Sequence, residues 1–85
     1  MTLFDLITRS QAIRVEILRH LYQARLEQAS VPWVTGHALF EMAAGPVAFE
    51  LSYLIERGYI VKDNIRYCIT ADGIDQVEGG LKASA

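Results

Sequence analysis

One break constrains this chain more than any other feature. The stretch "AAGP", residues 43–46, separates two runs that contain neither Gly nor Pro and are dense in apolar residues, "HALFEM" before it and "VAFELSYLIER" after it. Gly adopts the positive φ that ends many helices, and Pro is tolerated in a helix's first turn, where its missing N–H costs nothing. The pair therefore predicts a short helix ending near Gly45 and a second that starts at Pro46 and runs to Arg57, with Gly58 as its C-cap. Thr35 supplies the N-cap of the first, with Leu39, Met42 and Ala43 turned inward and His37 and Glu41 outward. Two helices joined so tightly are a helix-turn-helix signal.

The flanking segments fix what surrounds this pair. From Ser10 to Gln28 no Gly or Pro interrupts the chain, and Ile13, Ile17, Leu21 and Ala24 recur at helical spacing opposite Glu16, Arg19, Gln23 and Glu27. A long helix with Ser10 as its cap is expected there. Val15, Leu18, Tyr22 and Leu26 widen its apolar face beyond what one small core needs. "VPWV", residues 31–34, reads as a short β segment, in which Trp33 either packs between helix and hairpin or enlarges an exposed surface. "YIVK" and "IRYCIT" predict two strands of a hairpin turning at "DN", with Asn64 at positive φ. Thr70 then caps a last short helix, "ADGIDQVEG", whose Ile74 and Val77 face the core.

With 85 residues the chain makes one domain and has no space for a separate catalytic lobe. No Gly-rich phosphate loop, Ser-His-Asp layout or paired-carboxylate motif occurs, so no enzyme activity is expected. His20 and His37 lack the spacing and companions of metal ligands, and no metal or other cofactor is expected. The single cysteine, Cys68, fits a structural thiol in a reducing cytoplasm. "MTLFDLIT" has an acid, no basic flank and too little length for a signal or a membrane span, so no membrane contact is expected.

The order helix, short strand, helix, tight turn, helix, hairpin resembles the winged-helix (winged helix-turn-helix) family of bacterial DNA-binding domains. Its carriers are "VTGHALFEMAAGPVAFELSYLIERGYI", with Leu39, Val47, Leu51, Leu54 and Ile55 in the core pattern, and "RYCITADG" with its Thr-x-x-Gly exit. The resemblance spans residues 10–78. It implies an α+β fold, a three-helix helix-turn-helix core with a β-hairpin wing and a short C-terminal helix. An N-terminal apolar segment (1–9) would precede this domain, and a flexible tail (79–85) would follow it. It also implies a transcription-regulator-like role on double-stranded DNA, the third helix entering the major groove and the wing touching the backbone. By position, Ala48, Phe49, Ser52, Tyr53, Lys62, Asn64 and Arg66 would make the contacts.

The residues themselves leave two readings open. The formal net charge is -2, and the third helix carries one cation, Arg57, in its last turn. A duplex is held chiefly by Lys and Arg on phosphates, which this helix lacks. Phe49 and Tyr53, one turn apart and flanked by Glu50 and Glu56, instead suit an anchor for a protein partner, unless one of them tucks under the hairpin or the second helix as extra core. In the DNA reading, Arg9 and Arg14 join Lys62 and Arg66 as backbone clamps; otherwise they are ordinary solvated charges. Leu3, Phe4, Leu6 and Ile7 either fold back on the first long helix or pair with a second copy; a homodimer through this segment and that helix is the expectation.

Overall fold

The structure, a computed structural model, describes residues 1–28 and 30–83. It is an α+β domain of four helices and one antiparallel sheet: α1 Leu3–Glu27, β1 Val34–Thr35, α2 Gly36–Ala43, α3 Ala48–Glu56, β2 Ile60–Asp63, β3 Arg66–Ile69 and α4 Ala71–Ala83. The strand order is β1-β3-β2, so the short β1 closes the sheet on the side of β3 away from its hairpin partner.

The first helix begins seven residues before the expected cap. Thr2, not Ser10, caps α1: its hydroxyl accepts from the Asp5 amide while the Asp5 carboxylate accepts from the Thr2 amide, a reciprocal capping box. Residues 3–9 are therefore part of α1 and not a separate apolar segment. The helix is inclined so that Ile17, Leu18 and Leu21 are buried at its middle, against Leu39, Val47, Leu51, Leu54, Ile60, Tyr67 and Ile69. Arg25, although exposed, ties the end of α1 to β3, since its Nη1 donates to the Ile69 carbonyl 2.9 Å away.

The turn between α2 and α3 differs in detail from its sequence reading. Ala44, at φ 57°, takes the left-handed position expected of Gly45, and Gly45 follows it, buried. Pro46 lies ahead of α3, whose N-cap is Val47. Thr35 caps α2 as expected, accepting from the Ala38 amide at 3.2 Å. Across this four-residue break the chain bends by 119°, which throws α3 across α1 and leaves one of its sides facing out.

The hairpin turn is displaced by one residue from "DN". Asp63 and Arg66 are paired, Asn64 (φ 58°) and Ile65 form the turn, and Lys62 stands opposite Tyr67. A network of short contacts then seats the hairpin and α4 on the end of α3. The C-cap of α3 is Arg57, one residue before the expected Gly58, which follows it at φ 76°. The Thr70 hydroxyl donates to the Gly58 carbonyl and accepts from the Gly73 amide, and the Thr70 amide donates to the Tyr59 carbonyl at 2.9 Å. The Thr-x-x-Gly signature thus joins three elements. Ile74 and Val77 pack on the core from α4. That helix runs on through residues 79–83, the first five of the expected flexible tail; residues 84–85 lie outside the described residues. No single helix among the described residues is long and apolar enough to cross a membrane.

Candidate interaction surface

At about 100° per residue, Val47, Glu50, Leu51 and Leu54 fall on one side of α3, and the first surprise is the carboxylate among them. Glu50 is buried at 7% exposure, and its side chain accepts from the Ser10 hydroxyl of α1 at 2.9 Å. It is not part of the polar rim anticipated around the aromatics. A short polar side chain on α1 satisfies it, the usual condition for burying such a group.

The outward side carries Ala48, Phe49, Ser52, Tyr53, Ile55 and Glu56. Phe49 is 70% exposed and Tyr53 37%. Tyr53 is held in place from α1: the Arg14 guanidinium lies 4.1 Å from its ring centroid, a cation–π contact. Arg14 is accordingly half-buried beside α3 instead of extended into solvent as a phosphate clamp. Glu56 is the one charged residue on this side of α3 before Arg57, which leans over Tyr59, 5.7 Å from the ring centroid.

Between α2, α3 and the hairpin lies an open cleft of about 520 Å³. Phe40 of α2, Ala48, Leu51, Ser52 and Ile55 around α3, and Lys62 with Tyr67 on the hairpin form most of its walls, and Lys62 is the single charged residue lining it. Phe40 and Ile55, 47% and 39% exposed, were not legible as surface residues. Ile55 belongs to the core pattern of the resemblance, yet it stands about 100° round the helix from Leu54, far enough to leave the core.

All seven residues expected to form a contact surface are exposed, but they do not converge on one spot. Ala48, Ser52 and Lys62 share the cleft. Phe49 and Tyr53 form the neighbouring strip toward α1. Asn64 sits at the hairpin tip beside Ile65, itself 65% exposed. Arg66 is directed elsewhere. Side chains alternate across a strand, so the register that puts Lys62 with Tyr67 on the α3 side of the hairpin puts Arg66 and Asp63 on the reverse. There Arg66 lies 5.4 Å from the Trp33 ring centroid and pairs with Asp63 at 3.2 Å. Trp33 is half-buried, covered by a cation and not by the core.

Among the described residues no group of three or more His, Cys, Asp or Glu side chains is placed to hold a metal ion. Cys68 is buried, with its thiol toward the Ile69 carbonyl. Comparison with protein-family models, with curated proteins and with solved structures gives no match for this chain.

Proposed function

We propose that this chain is a small, non-catalytic docking domain of winged-helix type, working in a reducing cytoplasm without a cofactor, and that the outward face of α3 with the hairpin binds another protein. The winged-helix reading is supported by the element order and by the 119° bend over a Gly-containing turn, the geometry of helix-turn-helix pairs. The observation that carries the protein-docking reading is the exposure of Phe49 at 70% beside Tyr53, on a helix that has no cation of its own before Arg57. A large ring left in water beside an apolar cleft is what an interface anchor looks like before its partner arrives. Aromatic residues are enriched at such surfaces and charged ones depleted from their centres.

The same geometry also supports a second reading, a transcription-regulator-like protein on double-stranded DNA. Its favouring observation is that Ser52 on α3 and Lys62 on the hairpin line one cleft, where a backbone passing between helix and wing would meet both a hydroxyl and an ammonium. Against it, Arg14 and Arg66 are engaged with aromatic rings, and Arg66 also with Asp63.

A photo-crosslinking residue at Phe49, with the same residue at exposed His20 as control, tests the proposal in cells. A protein adduct of defined mass at Phe49 alone is the expected result. Anisotropy of a random-sequence labelled duplex, titrated at low and physiological salt, is the counter-test. Salt-sensitive binding lost in Lys62→Ala, with no protein adduct at Phe49, overturns the docking reading in favour of DNA.

A further inference from the structure

The first two turns of α1 are the largest anomaly in the molecule. Leu3, Phe4, Leu6 and Ile7 are 72%, 75%, 49% and 47% exposed, whereas the helix's first long-range hydrogen bond is that of Ser10. These turns are not a loose end. The Thr2–Asp5 capping box specifies helix from Leu3 onward, so the sequence builds an ordered helical prong and covers it with apolar side chains. The prong's own domain cannot receive it. α1 is one continuous helix pinned to α3 through Ser10–Glu50 and Arg14–Tyr53, and bringing Phe4 round to the cleft would require breaking it.

We propose that the prong docks into the α2–α3–hairpin cleft of a second copy of this chain. The inference rests on the docking reading above and names its partner. Two features match the pieces to one another. The prong presents Phe4 and Ile7, three residues apart and so adjacent on the helix surface, to a cleft of about 520 Å³ whose walls are chiefly apolar, within the size range of pockets that bury a few large side chains. The charges are also complementary. Asp5 is the only charged side chain in the first eight residues, and it flanks Phe4 about 100° round the helix; Lys62 is the only charged residue lining the cleft among the described residues. Reciprocal insertion uses both surfaces of both copies and closes as a dimer. Docking also covers the walls that a nucleic-acid backbone or another protein would need, so self-association and any other ligand of this cleft compete.

Sedimentation equilibrium of the full chain, from low micromolar to near-millimolar concentration, supplies the test. The wild type is expected to associate, and Phe4→Ser/Ile7→Ser to stay monomeric with its helix content kept by circular dichroism. Lys62→Glu should weaken association by about tenfold or more, and Asp5→Asn, whose amide oxygen can still accept from the Thr2 amide, should weaken it with the helix content kept. A wild type monomeric throughout overturns the inference. Association abolished by Phe4→Ser/Ile7→Ser but indifferent to both Lys62→Glu and Asp5→Asn overturns it too, because prong would then pair with prong. If the chain is monomeric while Phe49 still crosslinks to a different protein, the docking reading stands without this partner. If no protein is trapped and duplex binding is salt-sensitive, that reading itself fails.

Discussion

Gly73 is the residue whose replacement tests the packing argument most sharply. It lies in the first turn of α4, where helix propensity alone favours Ala over Gly by about 1 kcal/mol. The structure reverses the sign. A Cβ at this position would overlap the Tyr59 carbonyl oxygen and stand 2.6 Å from Ile69 Cγ1 and 3.0 Å from the Tyr59 carbonyl carbon. Two of these neighbours are backbone, and the same Tyr59 carbonyl accepts from the Thr70 amide at 2.9 Å, so it cannot give way without loosening α4 from the strand. Forcing a methyl into a packed site costs about 1–3 kcal/mol, occasionally more, and a rigid obstacle belongs at the upper end. The expected net loss for Gly73→Ala is about 2–3 kcal/mol. For a domain of this size that lowers the midpoint by roughly 10–20 °C. Gly79, on the same helix, is the internal control: an added Cβ there meets nothing within 4 Å, so Gly79→Ala should gain up to about 1 kcal/mol. Thermal and urea melts of the two variants measure the contrast. If Gly73→Ala is as stable as the wild type, the close approach of α4 to the start of β2 is wrong, and with it the account of the Thr-x-x-Gly signature.

Removing the Ser10 hydroxyl leaves the Glu50 carboxyl group buried without that donor; Ser10→Ala should cost about 1–3 kcal/mol in urea unfolding, and a neutral result would mean that water reaches Glu50. At the start of α1 the Thr2 amide and hydroxyl hold the Asp5 carboxyl below its ordinary pKa. Because the folded value is depressed, its stabilisation is full above the unfolded value and lost as pH falls through the folded one. Amide protection over Leu3–Ile7, taken relative to the intrinsic exchange rate at each pH, should therefore fall below about pH 4, and Asp5→Asn should remove that acid dependence. At the other extreme, Glu78 accepts from the Tyr22 hydroxyl at 2.9 Å and raises the phenol's pKa, mainly through that hydrogen bond. Here the folded state favours the protonated form, so the contribution is present below about pH 10 and is lost as pH rises through the raised value. Absorbance titration of the tyrosines in the wild type and in Glu78→Gln, where one phenol should titrate earlier, checks it.

Much of the fold was legible because its signals are local. Thr35 as a cap, Gly58 and Asn64 at positive φ, and a hairpin before a Thr-capped helix all depend on residues within a few positions of one another. The errors have equally physical causes. Ser10 has a side chain that can serve as a cap; it is instead the partner of a glutamate forty residues away, and the cap is Thr2, for which the reciprocal Asp5 is the local clue. Gly45 is the residue expected to take the left-handed turn, yet Ala44 takes it, against a cost of about 1–2 kcal/mol for a residue with a Cβ in that region. Lys62 and Arg66 are close in sequence, yet any two-residue turn between these strands, the expected one included, places them on opposite faces, because side chains alternate along each strand.

By itself, then, the sequence determined the elements, their order, the tight turn between α2 and α3 and the aromatic pair on α3, since periodicity and backbone preference act over single turns of chain. Only the tertiary structure decided which side chains meet. It buried Glu50, laid Arg14 on Tyr53, drew Arg25 and Arg66 away from any common surface, opened the cleft beside Lys62 and left Phe49 and the first turns of α1 uncovered. Those outcomes depend on how helices cross and on which strand residues share a face, and small differences among packing, solvation and hydrogen bonding set them through contacts distant in sequence.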